Sequence, residues 1–289
     1  MLSYVRDCLN TAEADPTVSS RDAALSFMRR LGLDDFGEAL MLTPNREFPR
    51  LSALLPKMAS ADVQNLWTGE NGYGLLRKTC NFVRSMSYNY AHISHKQLSN
   101  ASLILDYGCG YGRIARLMYY FVSTEHVIGV DPWERSIAEC KAAGLGPNFR
   151  LSDYLPVALP VDDKTFDLAY AFSVFTHLSQ RATLNAFKAL RRHANQDSVL
   201  CITIRPLEYW DIEGIPQSRE RCNQLKQEHV EQGFAFSPHN LPAVDGDVTY
   251  GDTSISLEWI DRNLVGWTRV AVDRSLEDPY QIYVFLKAS

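Results

Sequence analysis

Leu103-Ile-Leu-Asp-Tyr107, followed directly by Gly108-Cys-Gly-Tyr-Gly112, is the stretch of sequence that decides the fold. Its first five residues form a short apolar run, which is typical of a buried strand. The glycines that follow permit a tight turn, and residues 113–121 then show the apolar spacing of a helix. A buried strand, a glycine-rich turn and a helix together predict the first unit of a parallel α/β sheet.

The same alternation continues toward the end of the chain. Apolar runs predict further strands, and the segments between them have the apolar spacing of helices. The further predicted strands are 126–130, 148–151, 166–171, 199–204, 267–272 and 280–287. Strands that alternate with helices predict a parallel sheet covered on both faces, whereas the last two strands can pair antiparallel.

Two parts of the chain interrupt this alternation. Residues 1–100 are predicted to form an N-terminal helical extension that covers the substrate, in which Ser19 and Ser20 can cap one helix. Residues 206–253 are an insertion, in which a polar helix at 217–232 precedes a loop rich in proline and glycine. Because so long a connection is usually functional, we expect a substrate lid within a core domain of residues 101–289.

The composition of the chain excludes several classes of protein. It has 289 residues, of which 46% are hydrophobic and 22% charged, and a net charge of −5. A mildly acidic chain lacks the basic field that nucleic acids require, and no apolar run is long enough to span a membrane. Asp7 falls where a secretory signal needs apolar residues, so we expect a cytoplasmic protein.

The cysteines and histidines give no metal-binding pattern. Six cysteines are scattered along the chain without a Cys-x-x-Cys pair, which is typical of buried thiols in a reducing compartment. We therefore expect no metal. The sequence leaves open whether the chain forms a homodimer.

The predicted strand ends place cofactor-binding groups at one edge of the sheet. Asp131 ends the strand after the glycine turn, 25 residues after Asp106, where a carboxylate can accept hydrogen bonds from both hydroxyls of a ribose. The helix that follows the turn offers free N–H groups to an anionic group. A nucleoside-containing cofactor is therefore predicted. The turn reads Gly108-x-Gly110-x-Gly112 rather than Gly-x-Gly-x-x-Gly, which disfavours a nicotinamide-dependent oxidoreductase.

Three segments together resemble class I S-adenosylmethionine-dependent methyltransferases. They are Leu105-Asp-Tyr-Gly-Cys-Gly-Tyr-Gly-Arg113, Val127-Ile-Gly-Val-Asp131 and Phe166-Asp-Leu-Ala-Tyr-Ala-Phe-Ser-Val-Phe-Thr-His-Leu178. The strand Gln281-Ile-Tyr-Val-Phe-Leu286 suits the reversed last strand of that family. The resemblance implies a seven-stranded, mostly parallel, doubly wound α/β sheet with a reversed last strand. Trp67-Thr-Gly69 is similar to a segment that precedes the fold in some bacterial small-molecule methyltransferases.

The resemblance implies a set of residues that bind S-adenosylmethionine. Asp106 and the turn would hold its methionine end, Asp131 its ribose, and Asp153 the amino group of its adenine. Other side chains would flank the adenine or lie near the reacting methyl group. The whole set is Asp106, Gly108, Cys109, Gly110, Gly112, Asp131, Pro132, Trp133, Asp153, Tyr154, Phe172 and Ser173.

Transfer of a methyl group requires alignment of the acceptor, and an alcohol acceptor must also lose a proton. His177 follows the strand at 166–171 by a few residues and is our candidate base, with a structural histidine as the alternative. Further residues could contact the substrate, in particular aromatic rings that favour a sulfonium. These are Trp67, Tyr73, His239, Tyr250 and Asp252.

These observations favour a methyltransferase that acts on a small molecule, on a hydroxyl of a sugar or another polyhydroxylated metabolite. Ala171-Phe-Ser-Val174 stands where many enzymes that methylate amino groups of nucleic acids carry Asn/Asp-Pro-Pro-aromatic. Two alternatives remain at this point: methylation of a small amine, and a methyltransferase-like protein that binds the cofactor without catalysis.

Overall fold

The computed structural model describes residues 1–289 as helices, a central sheet and a two-stranded antiparallel sheet of residues 234–238 and 251–255, which is called the ribbon below. The α-helices are α1 (Ser3–Ala14), α2 (Arg21–Met28), α3 (Leu33–Met41), α4 (Pro49–Leu54), α5 (Ala61–Thr68), α6 (Gly72–Ser94), α7 (Arg113–Met118), α8 (Glu134–Ala142), α9 (Gln180–Arg192), α10 (Arg219–Gln232) and α11 (Leu257–Asn263). The strands are β1 (Ile104–Tyr107), β2 (Val127–Asp131), β3 (Phe149–Leu151), β4 (Phe166–Ala171), β5 (Ala194–Ile204), β6 (Phe234–Pro238), β7 (Gly251–Ile255), β8 (Trp267–Arg274) and β9 (Ile282–Ala288).

Seven strands form one sheet in the order β3-β2-β1-β4-β5-β9-β8. The pairs β1–β2, β2–β3 and β4–β5 are parallel, whereas β9 is antiparallel to both β5 and β8. The predicted fold class, a mostly parallel α/β sheet with a reversed last strand, is therefore confirmed. No helix is both long enough and apolar enough to cross a lipid bilayer.

The chain divides into two compact units. Unit 1 comprises residues 1–88 and 97–151, and unit 2 comprises residues 89–96 and 152–289. In unit 1 every residue of β1 and β2 is buried, as expected for central strands of a parallel sheet. The helices α1 to α5 and most of α6 belong to the same unit.

Local sequence signals explain the helix α2. The Ser20 hydroxyl accepts a hydrogen bond from the Ala23 amide at 3.2 Å and so satisfies one of the free N–H groups of the first turn. Arg29, just after the helix, donates to the Tyr119 and Val122 carbonyls at 3.0 and 2.6 Å. The N-terminal helices are thereby tied to the segment that follows the glycine turn.

The insertion is more ordered than its sequence predicts. The prediction of a loop after the polar helix is wrong at residues 234–238 and at residues 251–253, because these form β6 and most of the paired strand β7. The insertion also has a small core of its own, formed by Tyr209, Trp210, Cys222, Leu225 and Ala235. The sequence does not predict these two strands because they contain Pro238 and Gly251, which are typical of a loop.

Candidate functional site

The glycine turn between β1 and α7 has a backbone that only glycine adopts without strain. Gly108, Gly110 and Gly112 have φ values of 75°, 54° and 75°, in the left-handed region. A Cβ atom on Gly112 would also lie 2.2 Å from Cδ1 of Leu145. The sequence prediction that these glycines shape a close-approach turn therefore has a direct geometric basis.

Asp131 fixes this turn from the end of β2. It is 8% exposed, and its Oδ2 atom accepts a hydrogen bond from the Gly110 amide at 2.9 Å. Its Oδ1 atom accepts one from the Trp133 amide, also at 2.9 Å. Burial raises the pKa of Asp131, and these amide hydrogen bonds oppose that effect. Because each carboxylate oxygen has two lone pairs, both can still accept a bond from a ligand hydroxyl.

Asp106 is the third residue of β1 and is only 2% exposed. A carboxylate this deeply buried is costly unless positive charge or hydrogen-bond donors meet it. The ammonium group at the methionine end of S-adenosylmethionine is a charge of the right sign. With the glycine backbone and Asp131, this residue gives unit 1 a donor and acceptor set that fits the predicted cofactor.

Trp67 of α5 lies over the glycine turn. A Cβ atom on Gly110 would be 3.3 Å from its Cδ1 atom. The ring is 4.8 Å from that of Trp133, at 32°, and 6.2 Å from that of Tyr111, edge to face. The Arg135 guanidinium lies 4.9 Å from the Trp67 ring. A residue predicted to contact substrate is thus grouped with those predicted to bind the cofactor.

Four other predicted residues, Tyr73, Pro132, Asp153 and Tyr154, are exposed or half-buried. The Tyr73 hydroxyl donates to Glu38 at 2.6 Å, and the side chain is 58% exposed. Asp153 and Tyr154 are exposed in the segment after β3. Pro132 is half-buried between Asp131 and Trp133. The roles of these residues stay predictions.

The end of β4 carries a strained residue. Ser173 has a φ of 58°, which is uncommon outside glycine and is often found at functional sites. Its amide donates to the Thr203 hydroxyl at 2.7 Å, and the Gln281 amide donates to its hydroxyl at 3.3 Å. Phe172, which precedes it, has its ring 6.4 Å from that of Tyr283.

Asp252 in β7 is the centre of a polar cluster in unit 2. Its Oδ1 atom accepts hydrogen bonds from Arg205 at 2.7 Å and the Tyr209 hydroxyl at 3.1 Å. Its Oδ2 atom accepts from Gln217 at 2.9 Å and from Nε2 of His239 at 3.1 Å. Together with His177, these residues are called the Asp252 cluster below.

The charge of Asp252 is fixed by these neighbours. Burial raises its pKa, but the hydrogen bonds from Gln217 and His239 and the positive charge of Arg205 outweigh burial and bring the pKa to about 2. Asp252 is therefore ionised at neutral pH although it is only 5% exposed.

Backbone pairing brings these distant residues together. The Gly251 amide donates to the His177 carbonyl at 2.8 Å, and the Thr253 amide to the Thr176 carbonyl at 2.9 Å. The Ile255 amide donates to the Arg205 carbonyl at 3.0 Å. The strand β7 therefore runs alongside the loop after β4 and the residue after β5, which places Asp252 next to residues from both.

His177 is held at both ring nitrogens. Its Nδ1 atom lies 2.7 Å from the Gly251 carbonyl, to which it donates, so Nε2 accepts from Arg205 at 3.2 Å. The ring stacks on Tyr250 at 4.9 Å and 9°. Burial lowers the pKa of His177 to about 4, and the charge of Arg205 acts in the same direction. The imidazole is neutral at pH 7.

Arg205, Tyr209 and Gln217 belong to the cluster but were not among the predicted site residues. Arg205 follows β5 directly. The rule that placed Asp131 in the cofactor site, a polar residue at the carboxyl end of a parallel strand, could have found it. Tyr209 and Gln217 carry no such signal because they lie in the insertion.

Comparisons with known proteins find one matching family model and solved structures of similar fold. Residues 104–197 match the family model described as a methyltransferase domain. An S-adenosylmethionine-dependent methyltransferase from Clostridium acetobutylicum is 13% identical, with 79% of this chain and 96% of that chain covered and a TM-score of 0.50. A second one, from Mesorhizobium loti, is 16% identical, with 70% and 97% covered and a TM-score of 0.46. No curated protein sequence matches significantly.

Proposed function

We propose that this chain, a class I methyltransferase with S-adenosylmethionine as its cofactor, methylates a hydroxyl of a sugar or another polyhydroxylated small molecule. The match of residues 104–197 to a methyltransferase domain supports the predicted enzyme class, and the seven-stranded sheet with the donor and acceptor set of unit 1 supports the predicted cofactor. The acceptor is the new element of the proposal. A cytoplasmic location remains part of it, supported by six cysteines that are all free thiols.

Unit 1 supplies the residues that would hold the cofactor. Asp106 would meet the ammonium group, the Gly108–Gly112 backbone would follow the methionine end, and Asp131 would bind the ribose. Bound S-adenosylmethionine supplies a methyl group on a positively charged sulfur, so that transfer to an alcohol forms a C–O bond, breaks the S–C bond to leave a neutral thioether, and releases the hydroxyl proton.

The observation that carries the acceptor proposal is the Asp252 cluster. It combines an ionised carboxylate, a guanidinium, an amide, a phenol and two imidazoles, all of which can bind hydroxyl groups. Tyr250 beside it is 40% exposed and can face the C–H groups of a sugar ring. An alcohol must also lose a proton, for which an imidazole is suited, whereas an amine need only be neutral. The cluster therefore favours oxygen as the acceptor atom.

The proposal is tested in two stages. Calorimetric titration with S-adenosylmethionine and its demethylated product should give dissociation constants on the order of micromolar, and reduced nicotinamide dinucleotide should not bind. A panel of monosaccharides and other polyols is then compared with matched amino sugars, with methylated product detected by mass spectrometry. We expect a hydroxylated acceptor to be methylated at oxygen. Methylation of the amino sugars alone would refute an oxygen acceptor, and cofactor binding without any turnover would favour a non-catalytic protein.

A further inference from the structure

His239 differs from the other histidine of the cluster in having one ring nitrogen without a partner. Its Nε2 atom lies 3.1 Å from Oδ2 of Asp252, while Nδ1 makes no hydrogen bond with the protein. The side chain is 40% exposed, compared with 16% for His177. We propose that His239 accepts the proton of the acceptor hydroxyl and that Asp252 is the positioning residue that orients its ring. The inference rests on the proposed hydroxyl acceptor.

Asp252 determines which nitrogen of His239 carries the proton. An ionised carboxylate can only accept hydrogen bonds, and the cluster keeps Asp252 ionised at neutral pH. Nε2 of His239 must therefore be the donor. In a neutral imidazole the other nitrogen then has a lone pair, so that Nδ1 is the basic atom and is the one not used by the protein.

One carboxylate and two rings surround the His239 side chain. The groups that face the His239 ring are Asp252, the ring of His177 at 6.4 Å and the ring of Tyr250 at 5.5 Å. Arg205 forms a salt bridge with Asp252, in which Nη1 lies 2.7 Å from Oδ1. When Nδ1 takes up the proton, Nε2 keeps its hydrogen bond to the Asp252 carboxylate, so the ring orientation is retained.

His177 is less suited to the same role. A proton can reach its ring only if the bond to Arg205 or to the Gly251 carbonyl breaks. Its ring instead links Arg205 to the backbone of β7 and supports the exposed ring of Tyr250. His177, our candidate base from sequence, is here a positioning residue.

The proposed step is a single proton transfer. The O–H bond of the acceptor breaks, its electron pair stays on oxygen as the C–O bond forms, and the proton bonds to Nδ1 of His239. The half-exposed imidazolium then releases this proton to water.

The first test needs neither cofactor nor acceptor. Nitrogen-15 NMR of the histidine-labelled full chain at mildly alkaline pH should show a proton on Nε2 of His239 and on Nδ1 of His177. His239→Gln and His177→Gln assign the signals, and Asp252→Asn should change the His239 tautomer. A proton on Nδ1 of His239 would overturn the proposal.

The second test uses the hydroxylated acceptor identified in the panel. His239→Ala should lower kcat by about 10²- to 10³-fold and leave the affinity for S-adenosylmethionine unchanged, and added imidazole should restore part of kcat. His92→Ala, an exposed histidine on α6, is the matched control and should behave as wild type. An unchanged kcat in His239→Ala, or rescue by imidazole in His177→Ala alone, would refute the inference only. Absence of methylation of any hydroxyl by the wild-type protein would instead refute the proposed function, and the inference with it.

Discussion

Asp252 is the residue on which the polar groups of unit 2 converge. It accepts four hydrogen bonds, from a guanidinium, a phenol, an amide and an imidazole. Removing one partner of such a buried network leaves the others unpaired, which typically costs a few kcal/mol. The carboxylate is therefore as important for the arrangement of the cluster as for its charge.

In unit 1, substitution of the single residue Asp131 tests the proposed cofactor site. Asp131→Ala removes the carboxylate proposed to bind the ribose and its bond to the Gly110 amide, so we expect the affinity for S-adenosylmethionine to fall at least about tenfold. Calorimetric titration measures the affinity, and circular dichroism checks the fold. Asp245→Ala, an exposed acid of the insertion, is the control and should bind the cofactor as wild type does. Unchanged affinity in Asp131→Ala would remove this residue from the cofactor site.

At the scale of elements, the pairing of β6 with β7 decides where Asp252 lies. Its neighbour Gly251 has no room for a side chain. A Cβ atom there would be 2.1 Å from the Ser237 carbonyl oxygen and 2.8 Å from Cα of Pro238. Both are backbone atoms, so a larger residue must separate the two strands.

We therefore expect Gly251→Ala to destabilise the protein by about 1 to 3 kcal/mol and to lower turnover, while cofactor affinity is retained. Thermal unfolding and calorimetry measure the two effects. Gly32→Ala is the matched control, because the nearest atom to its Cβ would be 3.9 Å away. A Tm for Gly251→Ala equal to that of the control would show that the strands can accommodate the methyl group.

The glycine turn was predictable at this scale, whereas the ribbon was not. The turn is encoded by neighbouring residues: an apolar strand, glycines with positive φ and a helix. The ribbon pairs Phe234 with Ile255 across an irregular connection, and Pro238 and Gly251 at its inner ends predict a loop. The pattern of residues within one segment does not predict which other segment it pairs with, so the pairing of β6 with β7 was not predictable.

At the scale of the whole molecule, His177 makes stability depend on pH. Its pKa is about 4 in the folded protein, against an ordinary value of 6.5, because burial disfavours the charged ring. Between these values the unfolded chain binds a proton that the folded protein does not. Stability should therefore fall as the pH falls from 6.5 toward 4, by at most about 3 kcal/mol from this group.

Urea denaturation at pH values across this window measures the effect. The slope of unfolding free energy against pH should be smaller in His177→Gln, which does not titrate. Burial also lowers the pKa of His229, which contributes to the slope that remains. Equal slopes for variant and wild type would mean that His177 is not held neutral by the fold. Below this window, Asp252 adds a further loss as the pH falls from its ordinary 3.8 toward 2.

The sequence by itself determined the sheet and its glycine turn, because these depend on periodicity and backbone freedom within a few residues of one another. Only the tertiary structure decided that Asp252 meets Arg205, 47 residues away in sequence, and that His239 rather than His177 has a free ring nitrogen. The physical reason is that these contacts depend on where β7 pairs. That pairing is set by long-range backbone hydrogen bonds, which leave no periodic pattern in the sequence.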